Sequence, residues 1–242
     1  MRFGSSNYVF KKILNSDATA DYQVATYQGI ARKTAYFLFM TLIGAAASIG
    51  LFYYNPDLLS VLLIPSGLVT FIAALIAMMS PGASRVSGTI YCVSEGMLIG
   101  LISLVFSTVA SGAVSAALLS TIAVFAVVTT LFTSNIVKVN GKFTKFLLMF
   151  AISFIVSQLL LMLVMMITGN EYGLGLQLIL SLIATFLATL YLFFDLENIR
   201  RVVEGNYPKL YEWYASFGLV FTLLWLYVEI LRIAVVIAGR RD

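Results

Sequence analysis

The sequence contains no histidine and a single cysteine, Cys92, among its 242 residues. The lack of histidine excludes His-based catalysis, His metal ligands and the side chain that ordinarily titrates near neutral pH. A single cysteine excludes an intrachain disulfide and any CxxC metal or redox motif. Any proton-linked behaviour must therefore come from carboxyl groups.

Charge is also scarce. Only 11% of the residues are charged and 61% are hydrophobic, and the mean hydropathy is +0.98. A soluble domain is typically about a quarter charged, so this composition indicates an integral membrane protein. The sequence pI near 9.1 then reflects Lys and Arg in loops on one side of the bilayer, and we expect no nucleic-acid partner.

Seven apolar segments follow a polar N-terminal arm of residues 1–33. Each is about long enough to cross ~30 Å of hydrocarbon at 1.5 Å per residue. The connections are short and contain Pro, Gly or Asn, which favour turns. We therefore expect an all-α membrane protein with seven transmembrane helices in one domain, residues 34–238, and a short tail, residues 239–242. The segments are residues 34–52, 58–79, 86–107, 113–132, 143–168, 174–195 and 213–238.

The basic residues predict the orientation. The arm and the second, fourth and sixth connections hold most of the Lys and Arg residues, whereas the first, third and fifth hold none. The positive-inside rule then places the N-terminus in the cytoplasm. Seven crossings put Arg240 and Arg241 on the opposite face, against the rule, so the last segment either crosses or is re-entrant; its length favours crossing.

Five charged residues lie within apolar segments or at their ends: Arg85, Glu95, Asp195, Glu229 and Arg232. A charge at the centre of a membrane helix costs roughly 2.5–3.5 kcal/mol on insertion scales, so such residues usually face the bundle interior and pair with one another. Glu229 and Arg232 are three residues apart and can pair on one helix face, with Arg232 extending toward the interface. Glu95 lies beside a glycine and is either a packing residue or part of a pathway.

Two stretches of small residues, IGAAASIG in the first segment and ASGAVSAA at the start of the fourth, allow close helix approach. We expect both to pack within the bundle. Aromatic residues near the segment ends, such as Tyr211 and Trp213, fit an interfacial belt.

The stretch LYLFFDLENIRRVVEGNYPKLYEWYASFGLVFTLLWLYVEILR resembles the Bax inhibitor-1 family, also called the transmembrane Bax inhibitor motif family. The resemblance rests on Asp195 in FFDLENI and on Glu229 in LYVEILR, where family members usually have Asp. The stretches GSSNYVFKK and EGMLIGLIS look like the bacterial branch of that family, which implies a bacterial plasma (inner) membrane.

The resemblance implies six helices that surround a central C-terminal seventh. It also implies that Asp195 and Glu229 form a hydrogen-bonded carboxyl pair, which Arg85 can engage. That pair would be the pH-sensitive latch of a calcium leak channel, because two adjacent carboxyls share one proton and repel once it is lost. Both carboxylates would also suit the permeating calcium as oxygen ligands, and Glu95 and Arg232 are further candidates for the pathway.

Under this interpretation the protein is not an enzyme, needs no cofactor and works as a monomer in the lipid bilayer. A second hypothesis is a membrane-embedded regulator that binds other membrane proteins, such as a membrane protease or a quality-control complex, through its N-terminal arm. An intramembrane aspartyl protease also carries two acidic residues on neighbouring helices, but the GxGD motif of those enzymes is absent from the sequence.

Overall fold

The structure, a computed structural model, describes residues 23–169 and 173–238. The remaining residues lie outside it, so the interpretations of GSSNYVFKK, of most of the N-terminal arm, and of Arg240 and Arg241 rest on the sequence alone. The described residues form seven α-helices and no strand beyond one isolated bridge between Val24 and Pro208. The helices are α1 (Tyr27–Tyr54), α2 (Pro56–Met79), α3 (Ser84–Val109), α4 (Ala113–Thr133), α5 (Gly141–Thr168), α6 (Leu174–Glu204) and α7 (Tyr211–Ala238).

Six of these helices, α1 and α3 to α7, are long and apolar enough to cross a membrane. In α2 the described apolar stretch is Ile64–Met79, which by itself is shorter than a span. The chain is thus an all-helical, multi-pass integral membrane protein, as its composition predicts.

Two helices extend well beyond the segments that hydropathy predicts, by seven residues at the start of α1 and by nine at the end of α6. Helix α1 begins at Tyr27, inside the predicted polar arm, because Thr26 caps it: the Gly29 amide donates to Thr26 Oγ1 at 2.9 Å. Helix α6 continues past Asp195 to Glu204, and Glu197 pairs there with Arg200 and Arg201 at helical spacing. Local capping and ion pairs set these ends, and an apolar count does not detect them.

Helix α7 occupies the interior of the bundle. It packs against α1, α2, α3, α4 and α6, whereas α5 packs on the outside of α6. Half of the most apolar part of α7 is buried, against a third for α6. The family resemblance implies six helices around the seventh; in the structure five of them pack against α7, and α5 packs on α6 instead. Fully buried side chains on α7 include Phe217, Val220, Leu226 and Leu231.

Glycines let α1 and α3 lie unusually close together. A Cβ at Gly96 would collide with the Thr41 backbone oxygen, and one at Gly44 would collide with that of Val93. Both small-residue stretches thus pack within the bundle, since Gly44 belongs to IGAAASIG, and Ala113 and Ala117 of ASGAVSAA are buried in the core.

One end of the bundle carries most of the basic residues, and we call it the basic end. The starts of α1, α3 and α7 meet there with the ends of α4 and α6. The Ala25 amide donates to Tyr207 O at 2.8 Å and the Lys209 amide donates to Gln23 O at 2.9 Å. The Arg200 guanidinium lies 5.2 Å from the centre of the Phe132 ring.

Candidate carboxylate site on helices α6 and α7

Asp195 is buried between α6 and α7, with 8% of its surface exposed. Thr222 Oγ1 donates a hydrogen bond of 2.6 Å to Asp195 Oδ2. Gly218, one turn before Thr222 on the same face of α7, leaves room for the other carboxyl oxygen, since a Cβ there would lie 3.6 Å from Asp195 Oδ1. The carboxyl thus packs against the surface of the central helix at Gly218 and accepts one hydrogen bond from it, from the Thr222 hydroxyl.

Glu229 is buried further along α7 and forms the predicted ion pair with Arg232. Arg232 Nη1 lies 3.2 Å from Glu229 Oε2 and 3.4 Å from Oε1. The Arg232 side chain is 46% exposed and that of Glu229 only 9%, so the guanidinium extends outward while the carboxylate stays inside. Ser181 on α6 and Trp225 on α7 are the other polar neighbours of this carboxyl.

The structure does not bring Asp195 and Glu229 together. The partner of Asp195 on α7, Thr222, precedes Glu229 by seven residues, or about 10 Å of helix. Glu229 in turn pairs with Arg232, which lies still further along α7 from Thr222. In this conformation the two carboxyls therefore occupy two levels of the α6–α7 interface, each with its own donor, and not the single hydrogen-bonded pair that the resemblance implies.

Arg85 lies away from both carboxyls. Helix α3 begins at Ser84, so Arg85 stands in its first turn at the basic end, where its guanidinium lies 5.2 Å from the centre of the Trp213 ring. Trp213 precedes Thr222 by nine residues, or about 13 Å along α7. Arg85 thus engages an aromatic ring and not the Asp195 carboxyl.

These positions can be compared with known families. A family model described as Bax inhibitor 1 like matches residues 7–239. The chain belongs to the Bax inhibitor 1 like family. The match extends over all seven helices, and it confirms the family inferred from the sequence around Asp195 and Glu229. A search among curated proteins gave no match.

Glu95 occupies the middle of α3 in this Bax inhibitor 1 like protein. It is partly buried beside Tyr91 and Cys92 and makes no hydrogen bond to another described residue. Two turns further on, Ser103 Oγ lies 2.8 Å from the Tyr227 hydroxyl of α7. Helix α3 therefore presents polar groups to the interior, but Glu95 is not joined to Asp195 or Glu229 by any direct contact among the described residues.

Another buried carboxyl, Glu212 in the first turn of α7, was not predicted from the sequence. It accepts hydrogen bonds from the Thr26 amide at 2.9 Å and from Thr26 Oγ1 at 3.2 Å, and it pairs with Lys33. Nearby, Ser216 Oγ donates to Ile30 O at 2.9 Å. We call this contact set (Thr26, Ile30, Lys33, Glu212 and Ser216) the α1–α7 junction. The partners are far apart in sequence, and no local pattern signals the pairing.

The carboxyls do not form a ready metal site. The described residues contain no group of three or more Cys, Asp or Glu side chains that could hold a metal ion. Asp195 and Glu229 thus offer one carboxylate each, at separate levels. Neither carboxylate alone supplies the several oxygen ligands of a tight calcium site.

Proposed function

We propose that this Bax inhibitor 1 like protein is a pH-sensitive calcium leak channel of a bacterial plasma membrane, with seven crossings and a cytoplasmic N-terminus. The observation that supports it best is the presence of two buried carboxyls, Asp195 and Glu229, along the interface of α6 with the central helix. The proposal makes the protein a passive, monomeric pore and not an enzyme.

In this proposal the two carboxyls have different parts, because their hydrogen-bond and charge partners differ. Asp195 has one hydroxyl donor and no cationic partner among the described residues, so its ionisation places an unbalanced charge inside the bundle. Such a charge favours entry of water and weakens the packing of α6 against α7. Asp195 is therefore the pH-sensitive gate of the proposed channel.

Glu229 provides a second level along the pathway. Arg232 balances the charge of ionised Glu229. Asp195, in contrast, has only a hydroxyl donor to stabilise its ionised form. A hard cation such as calcium prefers carboxylate oxygens, and conduction requires several weak sites from which the ion can leave. Two carboxyl levels about 10 Å apart along α7 meet that requirement.

Calcium flux into liposomes that contain the purified protein tests the proposal. The flux is measured at pH 6, 7 and 8 for the wild type, Asp195→Asn and Glu229→Gln. We expect the wild-type flux to increase with pH, because ionised Asp195 opens the pore, and Asp195→Asn to abolish that increase. Glu229→Gln removes one of the two carboxylate levels that the ion is proposed to contact and should lower the flux at every pH.

Two exposed carboxyls provide matched controls. Asp57→Asn and Glu204→Gln make the same chemical changes at surface positions and should retain the wild-type flux and its pH profile. A flux that keeps its pH dependence in Asp195→Asn would overturn the gating assignment. Absence of flux from every variant at every pH would overturn the channel itself and favour the regulator that binds other membrane proteins.

A further inference from the structure

Two exposed arginines at the basic end, Arg32 on α1 and Arg85 on α3, have no part in the proposed channel. Thr89 Oγ1 of α3 donates to the Tyr36 hydroxyl of α1 at 3.3 Å and fixes the register of the two helices. Arg32 precedes Tyr36 by four residues, and Arg85 precedes Thr89 by four. Because residues four apart share a helix face and both helices begin at the basic end, the two arginines occupy matching positions on neighbouring helices, one turn nearer that end. Arg32 Nε donates to Gln28 O at 3.5 Å, and the Arg85 guanidinium lies 5.2 Å from the centre of the Trp213 ring.

These two cations lack the acidic partners that the other described arginines have. Arg200 and Arg201 pair with Glu197, and Arg232 pairs with Glu229. Among the described residues, neither Arg32 nor Arg85 forms a salt bridge, and both are exposed. An anion bound near both positions would offset their like charge, and the planar donors of a guanidinium group suit a phosphate group.

The start of α3 adds further donors at the same place. Its N-cap residue is Ala83, which provides no side-chain cap. No N-cap side chain therefore satisfies the first turn of α3. Ser84 is itself buried, but Arg85 and Val86 of the same turn are exposed, and the helix dipole favours an anion beside them.

Aromatic and apolar residues place this cationic pair at the membrane interface. The Arg85 guanidinium lies over the Trp213 ring, and Tyr36 packs edge-on against the same ring with centroids 5.4 Å apart. Tryptophan and tyrosine favour the headgroup level. Exposed apolar side chains continue along α1 and α3 toward the membrane, namely Phe39, Val86 and Ile90. A ligand with an anionic head and apolar chains matches both parts of this surface.

We propose that Arg32, Arg85 and the start of α3 bind the phosphate of an anionic phospholipid headgroup, with Trp213 and Tyr36 beside it and the acyl chains along Phe39, Val86 and Ile90. The site is independent of Asp195 and Glu229, so it stands or falls separately from the channel. A phospholipid satisfies the surface better than a free phosphate does, because the apolar strip adjoins the cations.

Fluorescence quenching by brominated lipids measures this preference at the site itself. In the full chain with Trp225→Phe, Trp213 is the only tryptophan left, since the sequence has two. The protein is reconstituted in phosphatidylcholine vesicles, and quenching by brominated phosphatidylglycerol is compared with quenching by brominated phosphatidylcholine. We expect the anionic lipid to quench preferentially. Removal of each cation should lower the preference for the anionic lipid about fivefold. In Arg32→Gln/Arg85→Gln the two lipids should therefore quench almost equally, as expected for bulk lipid.

A matched control removes the same charge elsewhere at the basic end. Lys142→Gln/Lys145→Gln alters two exposed cations on α5 and should leave the preference unchanged. Arg85→Lys keeps the positive charge but lacks the planar guanidinium donors, so its preference for the anionic lipid should be intermediate. Circular dichroism verifies that each variant is folded, and native mass spectrometry of the wild type and the double variant counts bound phosphatidylglycerol without the Trp225 change.

Three results would overturn the proposal. They are equal quenching by the two lipids in the starting protein, an undiminished preference in Arg32→Gln/Arg85→Gln, and an equal loss in the α5 control, which would indicate general surface charge only. Displacement of the lipid by millimolar soluble glycerol phosphate would assign the site to free phosphate groups and not to phospholipids.

Discussion

Replacing Lys33 by methionine should destabilise the protein more than replacing Glu212 by glutamine, although both changes remove the same ion pair. The difference follows from exposure. The Glu212 side chain is 1% exposed and the Lys33 side chain is 13% exposed. Whichever partner remains must find a new partner or reach water, and only the lysine can do so easily.

The expected loss of folding free energy differs between the two variants. Lys33→Met leaves the Glu212 carboxylate buried with only its Thr26 donors, and removing one partner of a buried pair costs about 3–5 kcal/mol. Because the junction lies at the end of the bundle, near water, we expect roughly 2–3 kcal/mol. In Glu212→Gln the amide oxygen can still accept from Thr26. The Lys33 ammonium, which lies 5.1 Å from the centre of the Trp213 ring, can turn toward water. Its expected cost is about 1 kcal/mol.

Thermal unfolding in detergent micelles at neutral pH, followed by circular dichroism, measures these differences. The double variant completes a thermodynamic cycle, in which the two changes should be less than additive by about 1–2 kcal/mol. Lys145→Met on α5 is the matched control for loss of an exposed lysine and should stay within about 0.5 kcal/mol of the wild type. Equal destabilisation by the two single changes, or strict additivity, would refute the assignment of a buried ion pair to the junction.

Two further changes test the packing around the central helix. Gly96→Ala should destabilise the protein by about 1–3 kcal/mol, because its Cβ meets the Thr41 backbone and α1 must move away from α3. Gly50→Ala in α1, where nothing lies within 4 Å of the new Cβ, should be neutral or slightly stabilising; equal unfolding temperatures for the two would contradict the close contact. Thr222→Val removes the donor to buried Asp195 at almost constant volume and should cost about 1–3 kcal/mol. An unchanged unfolding temperature and an unchanged pH profile of calcium flux would show that this hydrogen bond has no effect.

The positions of the helices could largely be predicted from the sequence, because an apolar run of sufficient length has few alternatives to a membrane helix. The predicted start of the fourth segment, residue 113, is also the first residue of α4, and the predicted ends of the second and seventh segments coincide with those of α2 and α7. The ends of α1 and α6 were less predictable, since they depend on the Thr26 cap and on Glu197 with its two arginines.

The sequence predicts contacts in the site only between residues that are close together along the chain. Glu229 and Arg232 are three residues apart, so helical geometry alone brings them together. The position of Asp195 relative to Glu229 depends instead on how far α6 slides along α7, which is set by the packing of buried side chains such as Leu192 and Leu219. The α1–α7 junction joins residues 179 positions apart, and only the assembled bundle shows that Glu212 faces Lys33.

The central helix therefore carries its polar groups at three separate levels: Glu212 at the basic end, Thr222 opposite Asp195, and Glu229 with Arg232. Successive levels are separated by about 15 Å and 10 Å along α7. Of the three carboxyls held at these levels, Glu212 and Glu229 each have a cation, while Asp195 has a hydroxyl only. A change in proton occupancy at Asp195 consequently alters the charge balance in the middle of α7. At the basic end the Lys33–Glu212 pair holds α7 to α1, whereas the Glu229–Arg232 pair lies within α7 itself. Under the proposed channel function, this distribution favours a local opening between α6 and α7 over a displacement of the whole central helix, and the proposal assigns the response to pH to Asp195.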